Sequence, residues 1–175
     1  MKKTRFLANC LGVFALLLIA WKGTPSGRWY TEGMLAFAGV VGPMTHGWVL
    51  ETDPHGQEKP AWVHGSNQVQ LSIQFDALAV GLVPLLALLA ATPGLSLRRR
   101  AGLMVAGGAL NFMVDTLIIT LFPLLVFYKN PFTDVVGTFL GLIAFVGAPV
   151  IIWFALTFRE LQQALPSLRP RVEQR

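Results

Sequence analysis

The chain has one cysteine, three histidines and nine acidic residues in 175, and charged residues of every kind make up 13% of it. A lone Cys10 excludes an intramolecular disulfide. No phosphate-binding glycine loop, haem-attachment motif or zinc-protease motif occurs, so catalysis has little to stand on. An aspartyl intramembrane protease needs two deep carboxylates, and Asp115 is the one acid inside an apolar run. Lys and Arg number 14, for a net charge of +5. Even so, no basic patch with interleaved aromatics appears, which argues against nucleic acid as a partner.

What the chain has in excess is apolar length. Hydrophobic residues make up 54% of it, and long runs reach from Phe6 to Trp21, Ala77 to Thr92, Gly102 to Tyr128 and Val135 to Phe158. The expected fold is an α-helical integral membrane protein with four transmembrane helices, its core built of helix against helix because lipid cannot satisfy an open backbone. Its only certain partner on this reading is the lipid bilayer, and no cofactor or metal is expected. The first run follows a basic leader and resembles a secretory signal peptide. It reads as an uncleaved anchor, because Leu18 stands before Ala20 at the best small-x-small candidate.

Charge orients this bundle. Arg98, Arg99 and Arg100 sit between the second and third runs, and basic residues stay on the cytoplasmic side. The start (Lys2, Lys3, Arg5) and the tail after Phe158 (Arg159, Arg169, Arg171, Arg175) then also fall inside, with the acids Glu160 and Glu173. The outside segments carry Lys22, Arg28, Lys59 and Lys129 against Glu32, Glu51, Asp53, Glu58, Asp76 and Asp134. The resulting layout is a cytoplasmic start and first helix (1–21), an extracytoplasmic insert (22–76), three further helices (77–158) and a cytoplasmic tail (159–175). It places both termini on the cytoplasmic side of the membrane.

The insert is expected to be a small α+β unit. Met34 to Met44 is too short to span a core of about 30 Å, and a fifth span would flip the arginine triplet outward. It reads as a short helix on the outer leaflet or over the bundle mouth, broken near Gly42 and Pro43. WVLET (48–52) and AWV (61–63) flank a DPHG turn, and VQLSIQF (69–75) alternates apolar with polar. Together they predict a three-stranded antiparallel meander. Trp21, Trp29 and Tyr30 mark the outer boundary. Trp48 and Trp62 read as a cross-strand pair or a platform for a docked peptide, which makes Trp29, Trp48 and Trp62 candidates for extracytoplasmic contact.

Within the membrane runs, Pro84, Pro123 and Pro149 are expected to kink their helices, with neighbours satisfying the freed carbonyls. Asn130 and Pro131 predict a tight turn between the last two helices. Asp115 most needs an explanation, lying roughly 20 Å along its run. A carboxylate there costs several kcal/mol unless paired or protonated. Asn111 lies one turn earlier, with Met104, Gly107, Ile118 and Phe122 on the same face. The favoured role is polar glue to a neighbouring helix, through Asn9 or to another chain. The alternative is an ion or proton relay in a small transporter or channel subunit. Gly137, Gly141, Ala144 and Ala148 form a second stripe, within about 60° of one another, suited to close helix packing or a partner interface. His46, His55 and His64 lack the spacings of known zinc sites and read as solvated loop residues.

The layout and the stretch SIQFDALAVGLVPLLALLAATPGLSLRRRAGLMV, residues 72 to 105, resemble the exosortase H-associated membrane proteins. That resemblance implies a non-enzymatic accessory protein beside a membrane-embedded cysteine transpeptidase, which processes C-terminal sorting tails at the outer face of the inner membrane. It does not extend to the exosortase itself, whose Cys, Arg and His machinery has no counterpart here. Cys10 falls at the cytoplasmic end of its helix, across the bilayer from every histidine.

Overall fold

A computed structural model describes residues 3–51, 60–71, 81–128, 130–142 and 147–164. The chain is mostly helical with one small sheet. Its elements are α1 (Lys3–Gly23), α2 (Ser26–His46), β1 (Val49–Glu51), β2 (Ala61–His64), β3 (Asn67–Gln70), α3 (Leu82–Ala91), α4 (Leu97–Phe127), α5 (Pro131–Leu142) and α6 (Ala148–Ala164). Two of the helices, α1 and α4, are long and apolar enough to cross a membrane. The second apolar run is described as helix over ten residues, and the last run as α5 and α6, with residues 143–146 between them outside the described residues. Helix α6 continues past Phe158 to Ala164, so Arg159 and Glu160 belong to it and not to a loose tail.

At 31 residues α4 is the axis of the molecule, about 46 Å long. Ser96 caps it, with its side chain accepting from the Arg99 amide. One side of α4 packs on α3 and α6 through Leu85, Leu89, Ala148 and Ile152. Gly107 lets Leu89 and Leu156 close in there. The other side carries α2 and the sheet, with Met34, Ala38, Trp48, Trp62, Val69 and Leu71 against Ile118 and Ile119. Helix α1 runs along α3, and from Phe6 to Gly23 none of its residues is buried.

The basic segments converge on one end of this bundle. Phe6 and Asn9 of α1 line a groove with Arg100. Arg99 ion-pairs with the buried Glu160 of α6. Arg100 Nη2 donates to the Thr92 carbonyl at the end of α3, 3.2 Å away, and Trp153 Nε1 donates to Thr92 Oγ1 at 2.9 Å. Three arginines in the first turn of a helix oppose its dipole, so these contacts supply a local reason for Arg99 and Arg100.

The sheet has the expected form, antiparallel in the order β1-β2-β3. The β2–β3 turn at Gly65 and Ser66 needs the positive φ of Gly65. The β1–β2 connection, including the predicted DPHG turn and His55, lies outside the described residues, as does most of 69–75 beyond Leu71. Register departs from the predicted tryptophan pair: Leu50 and Val69 face Trp62, while Trp48 precedes β1 and packs on His64 and Phe127.

The predicted short helix is longer than expected and unbroken. Tyr30, Met34, Ala38, Gly42 and His46 step by four along α2, a slanted ridge. Asn111, Asp115 and Ile119 make a matching ridge on α4. Ridges of this kind interlock at about 50°. In keeping with that, α2 advances from Tyr30 to His46 while its hydrogen-bonded partners advance only from Asn111 and Asp115 to Thr120. Pro43 does not break α2, because it falls in the last turn, where it removes one hydrogen bond. The helix ends at Gly47, in the left-handed conformation (φ 74°).

Of the three predicted kink prolines, Pro84 falls in the first turn of α3, where a missing N–H is harmless; Pro149 follows the π-helical Gly147, and residues 143–146 before it lie outside the described residues. Pro123 is inside α4 and denies the Ile119 carbonyl its helical donor. Trp62 supplies one instead, its Nε1–H reaching Ile119 O at 3.1 Å. The next carbonyl, Thr120 O, accepts from His46 Nε2 at 2.9 Å. Trp62 is fully buried, and a methyl group added at Gly42 would collide with its six-membered ring.

Two outcomes test this arrangement by equilibrium unfolding in detergent micelles. Trp62→Phe leaves a buried carbonyl unpaired and should cost about 1–3 kcal/mol beyond its loss of packing. Pro123→Ala restores the N–H, so in that background the cost of Trp62→Phe should fall by about 1 kcal/mol. Equal costs in the two backgrounds would show that the pairing does not matter. Gly42→Ala should destabilise by about 1–3 kcal/mol through overpacking, whereas Gly137→Ala, with nothing within 4 Å of an added methyl, should not destabilise.

Candidate functional site

The polar centre of the molecule lies where α2 crosses α4. Asn111 and Asp115 are one turn apart on α4, and both are buried, at 0% and 1% exposure. Asp115 Oδ2 accepts from the Tyr30 hydroxyl at 2.9 Å and from Asn111 Nδ2 at 2.8 Å. The same Asn111 nitrogen lies 3.3 Å from the Tyr30 oxygen and donates to it. Phe112 and Trp21 close the ring of Tyr30 edge-on, at centroid distances of 5.5 and 5.8 Å. The expected polar glue is therefore present, but its partner is Tyr30 of α2. Asn9 is exposed and lines the groove at the opposite, basic end.

From Phe6 to Trp21 and from Arg100 to Asp115 the rise is the same, about 22 Å. Phe6 shares the Arg100 groove, while Trp21 touches the Tyr30 that binds Asp115. Asp115 thus sits level with Trp21 near the far end of α1, while it is the midpoint of its own apolar run, Gly102 to Tyr128. Asp115 Oδ1, Asn111 Oδ1 and Thr116 Oγ1 are buried without a hydrogen-bond partner. Tyr30 and Asn111 both point their donors at one carboxylate oxygen, which makes Asp115 the acceptor that ties α2 to α4.

The other predicted residues distribute as follows. Trp29 is exposed on α2, whereas Trp48 and Trp62 are core residues and cannot form an open docking platform. Of the helix-packing stripe, Ala148 is buried against Leu85 and Leu89. Gly137 has open space around it; Gly141 falls near the end of α5, and Ala144 lies outside the described residues.

His46 is not a solvated loop residue. Its Nε2 must carry the hydrogen given to Thr120 O, and its Nδ1 accepts the Trp48 amide at 3.2 Å. Both ring nitrogens are thereby engaged, leaving no lone pair for a metal. Among the described residues no group of three His, Cys, Asp or Glu is placed to hold a metal ion. The residues that sequence reasoning missed are Tyr30, Phe112, Thr92, Trp153 and Glu160. Only Tyr30 left a signal, as the first member of the four-residue ridge.

No protein-family model, curated protein or solved structure matches this chain. The functional argument rests on the site itself.

The glue role makes a graded forecast. Asp115→Asn keeps an acceptor for Tyr30 and Asn111 and should retain fold and assembly. Asp115→Leu strands both donors in a buried site and should cost about 2–4 kcal/mol, read by thermal unfolding in micelles. Loss of a transport activity in Asp115→Asn with assembly intact would overturn the glue role.

Proposed function

We propose that this chain is a multi-pass inner-membrane protein acting as a non-enzymatic accessory subunit, with α2 and the sheet presented at the extracytoplasmic face to an exosortase-type sorting system or its substrate tails. The observation that carries the reading is the character of the polar groups. Tyr30, Asn111, Asp115, His46 and Trp62 all serve to fasten one rigid unit to α4. Asn111, Asp115 and Trp62 are buried, and Tyr30 and His46 are half-buried.

The membrane part of the reading is supported by the outward apolar side chains. Leu7, Leu11, Leu16 and Ile19 on α1, Val105, Met113 and Leu117 on α4, and Phe132, Val135 and Phe139 on α5 are all more than half exposed. A surface this apolar is a liability in water and ordinary in lipid. Four spans follow if α3 together with the residues before it, and α5 with α6, each cross once. The convergence of the α1 start, the Arg98–Arg100 turn and the Glu160 end on one side is the arrangement that charge sorting requires. A relay role for Asp115 has less support, because Tyr30 closes the cluster and the carboxylate is 1% exposed.

Two experiments test the proposal. In a Cys10→Ser background, an impermeant maleimide should label Ser66→Cys in intact spheroplasts and Arg98→Cys only after permeabilisation; the reverse pattern would refute the orientation. The tagged protein should co-purify with a membrane partner in mild detergent, and Trp29→Ala should weaken that capture without lowering thermal stability. Purification of the protein alone, from membranes that contain an exosortase, would overturn the accessory role.

A further inference from the structure

The basic end of the bundle carries a feature that its packing does not use. A groove of about 510 Å³ runs between the N-terminal half of α1 and the end of α3. Gly12, Val13 and Leu16 of α1 and Ala90 and Ala91 of α3 line it. A methyl built on Gly12 meets nothing within 4 Å, so the groove is open there. Asn9 and Arg100 close the basic end with polar groups.

Arg100 is only partly committed. Its Nη2 holds the Thr92 carbonyl, but its Nε–H is buried without a partner. The charge at this end is unbalanced as well. Among the described residues here Arg98, Arg99, Arg100 and Arg159 face one acid, Glu160, and Arg99 takes it. An occupant must therefore supply an anion to a guanidinium and an apolar chain to a narrow slot of small residues.

We propose that this groove seats an anionic phospholipid, with its phosphate on Arg100 and Asn9 and the first part of one acyl chain along Gly12, Val13 and Leu16. The inference rests on the membrane reading above. A guanidinium presents a fork of donors matched to phosphate oxygens, and basic pockets between membrane helices on the cytoplasmic side favour anionic headgroups. Zwitterionic lipid offers the same chain and phosphate but adds a cation near the Arg100 guanidinium, so the site discriminates by charge.

The test uses full-length protein in neutral detergent, doped with phosphatidylglycerol or with phosphatidylcholine and read by native mass spectrometry. One phosphatidylglycerol should be retained in preference to phosphatidylcholine. Arg100→Gln should lower that retention about tenfold, the scale of one charge-assisted contact. Gly12→Leu fills the slot without touching Arg100 and should abolish retention. Arg98→Gln, on an exposed side chain, should preserve the preference. Should Arg100→Gln unfold, Gly12→Leu decides alone, because leucine is a better helix former than glycine.

Equal retention of the two lipids, or phosphatidylglycerol retention untouched by Gly12→Leu, overturns the proposal. Displacement of the lipid by glycerol phosphate at equal concentration also overturns it, because the slot would then contribute nothing. Alkaline extraction of native membranes separates the two failures. Release of the protein sinks the membrane reading itself, whereas a retained protein without lipid preference sinks only this inference.

Discussion

One hydrogen bond explains why the sheet sits where it does. Pro123 strips the Ile119 carbonyl of its helical donor deep in an apolar core, and an unpaired carbonyl there costs about 1–3 kcal/mol. The Trp62 indole answers it at 3.1 Å, and His46 takes the adjoining carbonyl of Thr120. Around this point α2 must thin to Gly42 so that the indole fits, β2 must present Trp62 inward, and the hairpin register must place Leu50 and Val69 on either side of it. A sheet of three short strands is marginal alone. Anchored to a helix irregularity, it acquires a fixed position.

The Tyr30–Asn111–Asp115 cluster does the same work one stage along the crossing. Two polar contacts, at the ends of a ridge whose middle is Met34 and Ala38, set the inclination of α2 on α4. A buried carboxylate invites a catalytic or transport explanation. Here its two donors come from the helix it must hold and from its own helix, which is the arrangement of a clasp.

Much of the architecture is legible in the sequence because apolar length and alternation are local properties. Runs of apolar residues mark α1, α3, α4 and the α5–α6 region, alternating residues mark the sheet, and the mismatch of Asp115 with its surroundings marks the polar centre. The parts that were not legible depend on contacts distant along the chain. Tyr30 and Asp115 are 85 residues apart, so nothing near Asp115 names its partner. The apolar pattern marks only eleven residues of α2 because Arg28, Glu32 and Gly33 interrupt its apolar character, although the five residues Tyr30, Met34, Ala38, Gly42 and His46 keep a four-residue spacing past them. Trp48 and Trp62 look like surface aromatics in a polar insert; only the Ile119 carbonyl that Pro123 frees, 57 residues beyond Trp62, makes Trp62 a core residue.

The separation of Trp62 from Ile119 along the chain has a consequence for biosynthesis. The indole emerges from the ribosome 57 residues before its carbonyl partner, roughly 3 to 11 s earlier at 5–20 residues per second. For that interval α2 and β2 exist without the surface they are shaped to cover, with the faces of Met34 and Trp62 bare. The nascent insert is completed by a later helix, so the timing of α4 delivery, more than the intrinsic stability of the strands, governs whether that half of the protein assembles or aggregates.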